Sequence, residues 1–334
     1  MTADLARAAG LLLLTLAGAW AQAQPATPRP PIFVLNSQDA DVSVIDPATF
    51  TQARRLPTGK EPHHLYLAPD EKTLIVANAT GNSLTFIDPA TGAVKRTVHD
   101  IADPYHLRFS PDMRWFVTAA NRLNHVDLYR WNGAAAEQPL KLVKRIEASK
   151  TPSHLAIDSR SSVVYATLQD SDELLSIDLA TQAPRWKVKV GKMPADIFLT
   201  VDDRVLLVAL TGERSVEAWD VSVVPPKLIR RIETGNGAHA FRAKGDRRHV
   251  FVSNRVANTI SLIDTQTLAV VDQYPGPGGP DCMEVLADGR TLLVSSRWAR
   301  KLTFIDLPSK TVTRQVAVGR SPHGVWTLDH APRQ

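Results

Sequence analysis

The chain has 334 residues, 44% hydrophobic and 22% charged, the profile of a globular protein with a sizeable core and not of a disordered or fibrous one. Its net charge of +5 is too small over this length to imply a nucleic-acid partner, and it favours anionic ligands only mildly. The single cysteine, Cys282, excludes an intrachain disulfide, a CxxC redox or metal motif and a CxxCH attachment for haem c.

At the N-terminus, Arg7 precedes an apolar run from Leu11 to Trp20 that is too short to span a membrane, and Ala21-Gln22-Ala23 follows as an A-x-A cleavage pattern. Residues 1–23 therefore read as a signal peptide and 24–30, with Pro25, Pro28 and Pro30, as an extended linker. The mature protein is expected in the periplasm or outside the cell, without a membrane span.

From residue 31 the chain repeats. An apolar alternation running into an Asp recurs at Asp46, Asp88, Asp178, Asp220, Asp264 and Asp306, with Arg130 standing in its place in the third unit. The spacings are 42, 42, 48, 42, 44 and 42 residues. A period of about 40–45 residues is that of a four-stranded propeller blade. In the unit from His64 to Val98, His64-Leu65-Tyr66-Leu67 reads as a first strand and Leu74 to Asn78 as a buried second one. Leu84 to Ile87 is the third, Asp88-Pro89-Ala90-Thr91-Gly92 a type I turn, and Ala93 to Val98 the outer strand. The third unit carries an insertion, Trp131 to Gln138, after Arg130.

The chain begins in register with a second strand, Ile32 to Asn36, and the missing first strand lies at the far end, Pro322 to Leu328. The fold expected is all-β, a seven-bladed propeller of four-stranded antiparallel blades over 31–330, closed by a C-terminal first strand added to three N-terminal ones. The blades fall at 322–329 with 31–57, then 62–98, 104–147, 152–190, 194–233, 237–273 and 280–317.

The pattern P-x-H-L-x-x-x-P-D…L-x-V-x-N…N-S-x-x-x-I-D-P-A-T-G, carried by residues 62–92, resembles the YVTN-type repeat. That repeat is found in the YncE-like periplasmic propellers, which are similar to the haem d1 domain of cytochrome cd1. The resemblance covers residues 31–330. It implies the fold far more firmly than an activity, because lactonases, lyases, oxidoreductase subunits and plain binding proteins share it.

Candidate site residues come from aligning the starts of the first strands. One register reads His64, His106, His154, Asp196, His239, Cys282 and Gly324, with His63 and His323 one position earlier. Neutral imidazole suits Zn, Cu and Fe, so His64, His106, His154 and His239 are candidate metal ligands. The resemblance adds that haem d1 domains and nitrous oxide reductase hold cofactors at this end of a propeller, so a transition metal or a haem-type tetrapyrrole are both open. The competing reading makes these histidines repeat-consensus residues bonded to neighbouring blades.

The loops between second and third strands add Arg122, His125, Arg214, Arg255, Arg297, Trp298 and Arg300, read as a rim on the same face suited to an anionic ligand. Asn36, Asn78 and Asn254 share a register and read as turn formers. The function expected is an exported binding or interaction propeller for a metal, tetrapyrrole or small anion. It is read as a monomer, with a small anion or a periplasmic protein as partner. The alternatives are an enzyme at the same site, lactonase, lyase or redox-associated, and a protein-docking scaffold with an unused channel.

Overall fold

The computed structural model describes residues 29–333, so the expected leader and most of the expected linker lie outside the described residues. Twenty-eight strands form seven four-stranded antiparallel sheets, and the only helical element among the described residues is a single turn, Gln169–Ser171. The inner strands are β4 (Pro62–Leu67), β8 (Pro104–Phe109), β12 (Pro152–Ile157), β16 (Pro194–Leu199), β20 (Ala238–Ala243), β24 (Pro280–Val285) and β28 (Pro322–Thr327).

The closure follows the sequence reading. β28 pairs with β1 (Ile32–Asn36), and the sheet continues through Asp41–Asp46 to Thr51–Pro57. Both faces of a blade pack on neighbouring blades, which is why a second strand such as Leu74–Asn78 is apolar without alternation and buried throughout. The outermost strands are largely solvated, as in Val94–His99 and Leu140–Glu147. The clusters between blades mix residues of both partners. Trp326 and Phe33 from the closing blade pack with Leu74, Val76 and Ile87 of the next.

Two local devices recur. At the blade corner, Asp88 accepts the backbone N–H groups of Ala90 and Thr91 at 3.0 and 2.9 Å, and Gly92 takes φ +72°. In the third blade, Arg130 instead extends its strand, pairs with Lys141 and lies 3.6 Å from the Trp115 ring centroid. The three asparagines are not turn formers. Asn36 Nδ2 donates to Asp41 Oδ1 and Ser43 Oγ, Asn78 to Ser83 and Thr85, and Asn254 to Thr259 and Ser261. Each ties the end of a second strand to the third strand beside it.

The second device positions the site. In every blade the ladder between first and second strands slips at the start of the inner strand, as between Pro62 and His64, Pro104 and His106, Pro152 and Leu155, and Pro194 and Ile197. The same slip lies between Ala238 and Phe241, Pro280 and Met283, and on the closing pair between Val34 and Asn36. Proline has no N–H to give the ladder, and a bulge re-aims the side chains that follow it. The residues freed this way are the ones that face the axis.

Deleting residues 322–334 removes the strand that closes the ring, so the whole domain should lose its cooperative thermal transition. A truncated chain that melts like the full-length one would contradict the closure. Trp326→Ala empties a fully buried site between two blades and should cost about 3–5 kcal/mol in urea unfolding.

Candidate functional site

Six histidines meet on the axis at the upper face, where the first strands begin: His63, His64, His106, His154, His239 and His323. Their rings touch in a chain. Centroids are 3.7 Å apart for His63 and His323, 4.7 Å for His323 and His64, 4.4 Å for His64 and His106, and 4.7 Å for His106 and His154. His239 stands 6.0 Å from His154, and Tyr105 lies against His63 at 4.0 Å.

Three of these rings are held from behind. His323 Nδ1 is 2.8 Å from the His63 carbonyl oxygen, which can only accept, so Nδ1 carries the proton and Nε2 the lone pair. His154 Nδ1 bonds to Ser153 Oγ at 2.9 Å and His239 Nδ1 to Thr211 Oγ1 at 3.1 Å. Hydrogen bonding of one ring nitrogen to orient the other is the arrangement seen behind metal-bound histidines.

The inward atoms have no partner. His63 Nδ1, His64 Nε2, His106 Nδ1, His239 Nε2, His323 Nε2 and Asp281 Oδ1 are buried and make no hydrogen bond. Native proteins satisfy nearly all buried polar atoms, so six orphans within one site need an explanation. With His154 they form three groups whose candidate ligand atoms lie within 4.8 Å of one another: His64, His106 and His154; His63, His64 and His323; and His239, Asp281 and His323. The first and third groups share no residue.

Asp281 is the anionic member. Arg255 Nη2 and Arg297 Nη1 donate to its Oδ2 at 2.7 and 3.1 Å, leaving Oδ1 facing His239 Nε2 at 3.3 Å and His323 Nε2 at 3.5 Å. Burial opposes its charge, but Arg255, His323 and His239 outweigh burial and hold the carboxyl well below the usual carboxylate range. Burial holds the histidines neutral: it brings His154 down to about 3 and, with Arg255, His239 down to about 4. His63, His64, His106 and His323 are pushed down in the same direction. Burial raises the Cys282 thiol and the Asp196 carboxyl, and it lifts Tyr105 to about 12.

The repeat, the closure and the axial cluster together decide the family. The chain belongs to the YNCE-like beta-propeller family, whose match covers residues 1–333. It is 28% identical over 162 residues to YncE of Salmonella typhi, a stretch that is 47% of this chain and 45% of that relative, and equally to YncE of Salmonella typhimurium. The chain thus spans less than half the length of the curated YncE proteins it matches.

Among solved structures, a protein of unknown function from Desulfotomaculum acetoxidans aligns at TM-score 0.75 and 17% identity, over 91% of this chain and 100% of that one. A periplasmic gluconolactonase of Pseudomonas aeruginosa aligns at 0.74 and 18%, over 89% and 98%. The dihydro-haem d1 dehydrogenase NirN aligns at 0.66 and 17%, over 91% and 76%. At these identities the likeness is one of fold.

In this YncE-like propeller the expected arginine rim divides. Arg255 and Arg297 turn inward to Asp281 as described. Arg122 pairs with Glu61 at 2.7 Å and with Asp103, and exposed Arg214 stands 3.9 Å from Glu233. Arg300 sits in a turn at φ +55°, and Trp298 is exposed with its ring over Gly279. His125 opens a third strand inside its blade, buried and 3.8 Å from Asp127, and does not belong to the rim. Sequence reasoning missed Asp281 and Tyr105, which occupy the register of His63 and His323. It also set His239 with His64, whereas the pairing of Ala238 with Asn254 puts His239 in the register of His63 and Asp281. It also missed Arg108, lower on the axis.

The metal-free axis should make the protein acid-sensitive. A histidine whose folded pKa lies below its unfolded value binds protons only on unfolding. Stability is therefore full above about 6.5 and falls as pH drops towards about 3 for His154 and about 4 for His239. The depressed Asp281 acts with the same sign, its contribution being lost as pH falls through its low folded value. Each buried histidine adds a slope of about 1.4 kcal/mol per pH unit in that window. Urea midpoints of chelator-treated protein between pH 7.5 and 5 should fall steeply, and His154→Asn should flatten the slope by one proton. A flat profile would contradict neutral burial.

Proposed function

We propose that this protein is an exported propeller that binds a divalent transition-metal ion of the zinc or copper type on its axis. The observation that carries the reading is two non-overlapping groups of ligand atoms, His64–His106–His154 and His239–Asp281–His323, in which every member but His154 presents a buried atom without a hydrogen bond. Neutral imidazoles present lone pairs at neutral pH without having to lose a proton first, and imidazole with one carboxylate suits zinc, copper or nickel better than calcium or magnesium. Zn–N bonds of about 2.0–2.1 Å place tetrahedral ligands roughly 3.4 Å apart, so small ring rotations would close either group on an ion. Cys282 does not join the set: its Sγ belongs to none of the three groups and lies 3.5 Å from His323 Nδ1, the nitrogen bonded to the His63 carbonyl.

The axis does not fit a tetrapyrrole. Rings 4–5 Å apart fill it, and the cavity below them measures about 170 Å³, less than the several hundred Å³ typical of sites for drug-sized ligands. The apolar run and A-x-A pattern of residues 11–23 support export.

Protein purified without a polyhistidine tag should retain zinc or copper in at least one equivalent by elemental analysis, and cobalt(II) should give a visible band. The triple variant His64→Ala, His106→Ala, His154→Ala should lose one equivalent. Thr211→Val, which releases His239 Nδ1, should weaken binding in the other group about 10–100-fold. Full-length protein that takes up no metal, with a triple variant that behaves like wild type, would overturn the reading.

A further inference from the structure

Below the histidines, towards the ends of the inner strands, lies the cavity of about 170 Å³. Its ceiling is His64, His106 and His154, and its wall is mixed, with Ile197, Phe241 and Met283 beside Asp196 and Cys282. Arg108 and the Arg242–Glu284 pair line it lower down. Arg242 and Glu284 are spoken for. Arg242 donates to Glu284 and to the carbonyls of Ala331 and Pro332, which hold the C-terminal segment across the lower mouth, and Arg333 pairs with the same Glu284.

Arg108 is different. Among the described residues no carboxylate lies within 4 Å of it, and its only hydrogen bond is a long one, 3.3 Å, to the carbonyl of its neighbour Leu107. Its guanidinium rests 5.5 Å from the Tyr66 ring centroid. The nearby Asp196 acts on it only through space, its oxygens bonding instead to the backbone N–H groups of Ile197 and Phe241 at 2.9 and 2.8 Å. A half-buried guanidinium without a bonded carboxylate thus lines the chamber that His64, His106 and His154 roof.

We propose that this chamber binds a short-chain monocarboxylate, with Arg108 forking its two oxygens, its chain against the apolar part of the wall, and its head group within reach of the ion on His64, His106 and His154. The inference deepens the metal reading and rests on it for the second contact. A planar fork with parallel N–H donors matches a carboxylate bidentately. The apolar part of the wall gives a hydrocarbon chain a surface that phosphate or sulfate cannot use, and the volume holds roughly five or six water-sized groups. A divalent ion on three neutral imidazoles also leaves two positive charges in a dry site, which an added anion would offset.

Titration calorimetry with propionate tests this, on zinc-loaded and on chelator-treated full-length protein, with inorganic phosphate as the competing anion and zinc content measured throughout. Expected are one propionate per chain, at least tenfold weaker binding in Arg108→Gln, partial recovery in Arg108→Lys, and no comparable binding of phosphate. Zinc uptake without propionate binding, equal propionate affinity in wild type and a folded Arg108→Gln, or a preference for phosphate would each overturn the carboxylate site while leaving the metal reading intact. Arg108-dependent propionate binding to a protein that takes up no zinc would support the chamber and sink the metal reading.

Discussion

Pairing of the first described strand with the last is the constraint on which the remaining architecture rests. Ile32–Asn36 joins Pro322–Thr327, and with that ladder made, seven inner strands are bound to one axis with no open edge between them. The axis is then only as wide as the side chains that enter it. Each blade must place something there that tolerates close neighbours and little water. The bulge at the head of each inner strand decides which side chains those are. In six blades proline interrupts the ladder, in the remaining one Ala238 stands in its place with the same slip, and one backbone irregularity repeated round the ring produces the site.

What fills that space is unusual in its chemistry. A structural plug would be cheapest if built from apolar residues, or from polar ones that bond across blades. Several residues here behave in that way: Thr167 reaches the Ala195 carbonyl at 2.7 Å, and Thr211 the Ala238 carbonyl at 3.0 Å. The histidines follow this pattern only with one nitrogen. Ser153, Thr211 and the His63 carbonyl secure the outward Nδ1 atoms of His154, His239 and His323, while Nε2 of His239 and His323 is left bare. A purely structural histidine gains nothing from that division, and burying an unbonded nitrogen costs about 1–3 kcal/mol.

The fold was legible because its signals are local and repeated. The Asp-Pro-Ala-Thr-Gly corner and its spacing of about 42 residues report blade count directly, and the half-unit at each end reports the closure. The register of His64, His106 and His154 was legible for the same reason. His239 and Asp281 were not placed, since they stand one position earlier with His63 and His323, where other blades carry Tyr105, Ser153 and Ala195, and the inner strand of His239 opens with Ala238 where the others have proline. The arginines were misjudged as a group because a long side chain goes where its counter-charge is. Arg255 and Arg297 find buried Asp281, whereas Arg122 finds Glu61 and Asp103 at the surface. The asparagines share their register for a cross-strand reason that a turn propensity does not contain.

The two ends of the axis differ in how their charge is settled, and this gives the site a direction. At the upper end one carboxylate, Asp281, meets two guanidinium groups on one oxygen and two imidazoles near the other, so both guanidinium groups are bonded. At the lower end Arg242 and Arg333 share Glu284, while Arg108 bonds to no carboxylate and Asp196 acts on it only through space. The histidines between the two ends are neutral and contribute no charge of their own. A cation placed among them would have Asp281 on its upper side and Asp196 with Arg108 on its lower side. Unscreened charge is costly away from water, so the lower chamber is where an anion from solution finds a guanidinium still without a bonded partner, and Arg108 is the residue positioned to receive it.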